Sequence, residues 1–299
     1  RGKPSGSDVE DATTQNGGAS TASPSQDAPL LEITYFTDPL CCWSWGFEPQ
    51  LRRLRYGFAG RIAWRTCLVG MIPNWETFGD PLNDIHRPAQ MGPLWIQAAT
   101  MTGMPSEAQI WVGDPPASSW PASLAVRTAG LQSGQAADLY QRLARHALMV
   151  EGRNIARDDV LLELSGHLAR HRADLFDADR FRREYGSADA RAALEDDVKE
   201  TRYRRVGRFP CLRFRRSGVE PAWLVGWRPM KPLLDALIAF APDIGEERRP
   251  SSAAAYTSYW GSVMPRETAV ALDEVSDANL LAQEPEAGSF SSASDGSPA

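Results

Sequence analysis

Apolar residues first gather in Leu30-Leu-Glu-Ile-Thr-Tyr-Phe36, a β-rich run that the breaker Asp38-Pro39 ends. After it, Phe47, Leu51 and Leu54 share one face of a helix predicted over Phe47–Tyr56, which Gly57 and Gly60 close. From Arg61 to Val69, Ile62, Trp64, Thr66 and Leu68 alternate with their neighbours and predict a second strand. Gly70–Pro93 is rich in loop residues. From Leu94 to about Tyr185 the spacing is helical, with segments at Ser123–Leu131, Ala136–Val150, Arg157–Arg170 and Asp177–Tyr185, and a further helix follows at Ala190–Val206. Phe209–Phe214 and Ala222–Val225 read as two short strands about the turn Ser217-Gly218, and Pro229–Phe240 as a closing helix. The order β-α-β, helical block, β-β-α makes the fold class α/β. Residues 242–284 follow as an extension of unassigned role, with one helix from about Arg266 to Gln283, and residues 1–28 and 285–299 read as disordered tails.

Composition narrows the classes. With 42% hydrophobic residues in 299, the chain can bury a core, here assigned to one domain over 29–241 whose helical insertion spans about 82–190. A formal charge of −6 argues against a protein that coats nucleic acid or an anionic membrane. No apolar run approaches the roughly 18–20 residues of a membrane helix. Residues 1–28 lack the apolar core of a secretory signal, so a cytoplasmic protein is expected. No Walker loop, G-x-G-x-x-G or G-x-S-x-G pattern occurs, which sets nucleotide-binding and serine-hydrolase readings aside.

Four cysteines in a chain this long are no disulfide scaffold, so their placement matters more than their number. Cys41 stands at the first strand-to-helix junction, where unpaired N–H groups and the positive end of the helix dipole favour a thiolate. The thiolate is the attacking species in disulfide exchange, which makes Cys41 the expected nucleophile. Position 44 is Ser44, giving C-x-x-S, so a mixed disulfide would wait for an external thiol such as glutathione or for another cysteine of the chain. Cys42 is adjacent, and a bridge between neighbours strains the backbone. Cys67, inside the second strand, is expected to be a small core residue. Seven arginines fall between Arg202 and Arg216 with no acidic residue among them; they form either a solvated face or a local positive patch for carboxylates. Glu163, His167 and His171 share a helical face, but nothing nearby completes a ligand set, and no metal is expected.

Thr37-Asp-Pro-Leu-Cys-Cys-Trp-Ser-Trp-Gly-Phe-Glu-Pro49 resembles the active-site segment of the DsbA-like branch of the thioredoxin superfamily, in particular predicted protein-disulfide isomerases with D-P-x-C-x-W-C-W-G-F-x-P. Ser119-Trp-Pro-Ala, Val150-Glu-Gly-Arg-Asn-Ile155, Val206-Gly-Arg-Phe-Pro-Cys211 and Leu224-Val-Gly-Trp-Arg-Pro229 extend the likeness in the family's order over about residues 30–241. The departure is the missing second cysteine. The resemblance implies a thioredoxin fold with a large all-helical insertion, a catalytic set of Cys41, Ser44 and Pro210, and a cis Phe209–Pro210 turn exposing the Phe209 backbone to an extended substrate. It also implies that Cys211 lies near Cys41 or Cys42, as a redox partner or as a core residue. Trp43, Trp45, Phe209 and Arg208 are the expected substrate-binding residues, one tryptophan lining a groove and the other packing. No tightly bound cofactor is implied, glutathione is a candidate co-substrate, and the partners are protein or small-molecule thiols and disulfides.

The expected activity is monothiol disulfide exchange through Cys41. A second reading is a glutathione-dependent isomerase or transferase resembling the kappa-class transferases and hydroxychromene-carboxylate isomerases, against which the retained Cys41 argues. A third, which loss of the resolving cysteine would suit, is a non-catalytic adaptor presenting proteins to a protease.

Overall fold

The computed structural model describes residues 30–274. The tails expected at 1–28 and 285–299 lie outside the described residues. Strand β1 (Leu31–Thr37) leads through helices α1 (Cys42–Gly46) and α2 (Glu48–Gly57) to β2 (Ile62–Leu68), which pairs parallel to β1 from Leu31↔Ile62 to Thr37↔Leu68. The helical block comprises α3 (Met91–Thr102), α4 (Ile110–Gly113), α5 (Trp120–Gly130), α6 (Gly134–Met149), α7 (Asp158–His171), α8 (Ala178–Glu184) and α9 (Ala188–Tyr203). The chain then returns as β3 (Cys211–Arg216), antiparallel to β1, and β4 (Val219–Val225), followed by α10 (Met230–Phe240). Sheet order is β2-β1-β3-β4. This is a thioredoxin fold carrying a helical insertion.

The alternation read in β1 sorts its side chains onto two buried faces. Leu31, Ile33 and Tyr35 join Leu212 and Phe214 under α2 and α10, while Phe36 faces the other way with Cys67, Val69 and Cys211. A larger core fills the helical block around Trp95, Trp111, Tyr140 and Phe181. Ser133 and Ser187 cap α6 and α9 by accepting from Ala136 N and Ala190 N.

Three boundaries differ from the pattern reading. The first helix starts at Cys42 rather than Phe47 and breaks at Phe47, whose N–H reaches back to the carbonyls of Trp43 and Trp45. Pro49 sits in the first turn of the next helix, where its missing N–H costs nothing. A helix absent from the reading, α11 (Ala253–Trp260), is capped by Ser252, and α12 (Pro265–Ala271) stops well short of Gln283, with Asp273 in the left-handed region at φ 56°. The rest of that expected helix, beyond residue 274, lies outside the described residues.

The extension clasps α2. Glu267 of α12 is fully buried and pairs with Arg52 at 3.2 Å and with Arg142 of α6 at 3.0 Å, and Glu247 takes Arg53 at 2.7 Å. Among the described residues no helix is long and apolar enough to cross a membrane.

Candidate active site

Cys41 is the N-cap of α1, in extended conformation, with its Sγ 3.4 Å from the N–H of Ser44. Its own N–H donates to the carbonyl of Asp38 at 3.1 Å, closing the turn after β1. Opposite it the Phe209–Pro210 bond is cis, and the Phe209 carbonyl lies 3.9 Å from the Cys41 Sγ. Cys41, Ser44, Phe209 and Pro210 therefore meet at one place, where the end of β1, the start of α1 and the turn before β3 converge.

Two opposing effects act on the Cys41 thiol. Cys41 is only 5% exposed, and this burial pushes its pKa above the ordinary cysteine value. Ser44 and the Arg145 guanidinium pull the other way, the negative charge of Asp38 adds to the rise, and burial outweighs them. The Ser44 N–H at the start of the five-residue α1 acts in the direction the helix terminus predicts, and burial opposes it.

The other cysteines separate by strand parity. Cys42 turns into the helical core beside Leu40 and Trp45, and Cys211 packs with Phe36, Cys67 and Val69. All four thiols are free, and burial pushes those of Cys67 and Cys211 up to about 12. Cys67 and Cys211 both register with Phe36 from opposite sides. Two strand spacings of about 4.8 Å separate them, beyond the roughly 4.4–6.8 Å of a disulfide. The Cys211 side chain thus sits in a core cluster that includes neither Cys41 nor Cys42.

The tryptophans also divide. Trp45 is 1% exposed, donates from Nε1 to the Pro105 carbonyl at 2.7 Å and lies under the Arg142 guanidinium at 4.5 Å, so it packs and is withdrawn from the substrate-binding set. Trp43 is half-buried and packs against both main cores. Arg208 is exposed and Phe209 half-buried. Of the seven arginines, Arg204, Arg215 and Arg216 pair with Glu200, Glu32 and Asp243, and Arg213 lies over Trp223. Arg202, Arg205 and Arg208 have no ion-pair partner among the described residues, and with Tyr203, 79% exposed, they form a basic shelf leading into the Phe209–Pro210 turn. The histidines of α7 stack on each other at 4.3 Å while Glu163 pairs with Arg153.

Three residues to which the motif reading gave no role, Asp38, Glu48 and Arg145, hold the site. Asp38, fully buried, accepts from Leu40 N at 2.9 Å, Met71 N at 2.7 Å and Ser119 Oγ at 2.9 Å, which ties the Cys41 turn to the loop after β2 and to the start of α5. Burial raises its pKa despite these bonds. Arg145, fully buried on α6, donates to Glu48 at 2.5 Å, to the Asp38 carbonyl at 3.2 Å and to Thr37 Oγ1. Burial alone would raise the pKa of Glu48; Arg145, Arg142 and Arg52 reverse that and hold its carboxyl below the usual range. A charged residue among Tyr140, Ala144, Ala147 and Leu148 on the apolar face of α6 was the available signal for Arg145.

A thioredoxin family model matches residues 35–222. The chain is 28% identical over 248 residues to the ClpXP adapter protein SpxH of Halalkalibacterium halodurans, covering 81% of this chain and 78% of that one. In structure it is similar to a Nitrosomonas europaea protein provisionally described as a protein disulfide isomerase (TM-score 0.59, 20% identity, 72% of this chain and 99% of that one). It is also similar to the cytosolic disulfide reductase DsbM of Pseudomonas aeruginosa (TM-score 0.53, 23% identity, 70% and 100%). With its β-α-β and β-β-α halves, its Cys41 turn and a family match over most of the described residues, the chain belongs to the thioredoxin family.

Proposed function

We propose that this protein is a binding protein of the adapter type, which uses the groove between α1 and the Phe209–Pro210 turn to hold a client protein for an ATP-dependent protease such as ClpXP. The observation that carries this reading is the site itself: a Cys41 only 5% exposed, with Ser44 where the resolving thiol would stand. Disulfide turnover needs a thiolate to attack and a second thiol to release the product. No resolving thiol stands at position 44, whereas the backbone of Phe209, the half-buried Trp43 and the exposed arginines around Tyr203 suit peptide recognition. The similarity to SpxH adds support, since it extends over 248 residues, beyond the span of the thioredoxin match.

Arg202, Arg205 and Arg208, without an ion-pair partner among the described residues and close in sequence to Tyr203, favour a client segment that is acidic. A second reading is monothiol exchange with glutathione or a protein thiol, favoured by the Cys41 Sγ facing the Phe209 carbonyl. Turnover of a peptide–glutathione mixed disulfide separates the two. The adapter reading expects the uncatalysed rate, and an acceleration abolished by Cys41→Ser overturns it.

A further inference from the structure

Away from the Cys41 groove, a pocket of about 310 Å³ opens between α2, α6 and α11. Four guanidiniums line it, Arg52, Arg55, Arg142 and Arg172, against two carboxylates, Glu48 and Asp138. None of Cys41, Ser44, Phe209 and Pro210 reaches it. The volume lies at the low end of small-molecule sites, about 300–1,000 Å³.

The hydrogen bonding around it leaves two guanidinium donors open, against one orphaned acceptor, Glu267 Oε1. Arg55 holds Asp138 with both terminal nitrogens, at 2.7 and 3.3 Å, and leaves its Nε buried without a partner. Arg142 donates Nη2 to Glu267 at 3.0 Å, while its Nη1, 3.8 Å from Glu48, has no hydrogen-bond partner. These two donors come from two different helices, and neither Glu48 nor Asp138 leaves an orphaned oxygen to match them. A buried guanidinium N–H without an acceptor is costly and uncommon unless a further group completes it. Burial lowers the pKa of Arg142, Glu267 opposes this, and Arg52 adds to the lowering. Trp260, under the Arg52 guanidinium at 4.8 Å, adds an aromatic surface from α11.

We infer that this pocket is a binding site for a small organic anion whose carboxylate or phosphate group is held by Arg142 and Arg55, with α11 of the C-terminal extension as its third wall. Arginine's planar fork suits both oxyanions, and a ligand here would bridge the extension to the thioredoxin core. The inference is independent of what Cys41 does.

Titration calorimetry of the full chain with inorganic phosphate in one arm and malonate in the other, at ionic strength held constant with sodium chloride, tests it. Saturable binding of either anion is expected, identifying the head group, with a rise in melting temperature of about 5–10 °C at a hundredfold excess over Kd. Arg55→Met and Arg142→Met should each weaken binding by about 10–100-fold, the worth of a hydrogen bond to a charged group. Arg55→Met keeps the test open if loss of the Glu267 partner unfolds the other variant. No saturable heat with either anion, or equal affinity in wild type and Arg55→Met, overturns the assignment.

Discussion

Replacing Arg145 with methionine removes the one cation that joins α6 to the Cys41 turn. Its guanidinium is fully buried and satisfies Glu48 at 2.5 Å, the Asp38 carbonyl at 3.2 Å and the Thr37 hydroxyl. Breaking a buried pair by removing one partner costs about 3–5 kcal/mol, because the other charge is left without compensation. Glu48 keeps a weaker partner in Arg142 at 3.8 Å, which places the expected loss near the lower end, about 3 kcal/mol. At about 2–4 °C per kcal/mol for a domain of this size, the melting temperature should fall by about 6–12 °C. Urea unfolding with an unchanged slope measures it directly. Glu48→Gln added to Arg145→Met should recover part of the loss, since the stranded charge disappears with it, giving a coupling of about 1–3 kcal/mol between the two sites. A loss below about 1 kcal/mol, or strictly additive effects, would refute the claim that this pair anchors the site.

Cys41 should alkylate with iodoacetamide far more slowly at pH 7 than a cysteine in an unfolded peptide, and accelerate only as pH passes the ordinary thiol value of about 8.5; a plateau reached by pH 7 would contradict the burial argument. Ser44→Cys places a thiol at the position whose N–H already lies 3.4 Å from the Cys41 Sγ, so it should form a 41–44 bridge under mild oxidant, detected by peptide mapping, and no bridge would mean the turn is not shaped as described. The folded-state pKa of Glu48 is depressed, so its stabilisation is present above the unfolded value of about 4.3 and is lost as pH falls through the folded one. Glu48→Gln should therefore flatten the acid limb of a stability-against-pH curve, and an unchanged limb counts against the pairing.

The fold was legible because its elements carry their periods plainly. Strand alternation in Leu31–Thr37 and Ile62–Leu68, and capped amphipathic runs such as Gly134–Met149, place the β-α-β start, the helical block and the β-β-α return within a few residues. The position of Cys41 was legible for the same reason, since a breaker after a strand and an apolar stripe after it leave one junction. The reactivity of Cys41 was not, because it depends on how much water the rest of the molecule removes, and that is decided by helices distant in sequence. The surroundings of Trp45 and Cys211 depend on which face each side chain takes, and in a strand a shift of one residue reverses that face. The Asp38–Ser119–Met71 and Glu48–Arg145 contacts join residues up to 97 positions apart, and no local pattern announces them. The extension was unassigned because its hold on α2 rests on scattered pairs, Arg52–Glu267 and Arg53–Glu247, rather than on a long amphipathic stripe.

The central claim is that the protein binds clients for degradation and does not turn over disulfides. Proteome-wide half-lives, measured by isotope pulse-chase in its own cells, test this most directly when the gene is deleted and then restored as wild type, Cys41→Ser or the double charge reversal Arg205→Glu/Arg208→Glu. The account predicts a small set of proteins that persist on deletion and turn over again with wild type and Cys41→Ser alike, but not with the charge reversal. Unchanged half-lives throughout, or restoration that requires the Cys41 thiol, would contradict it.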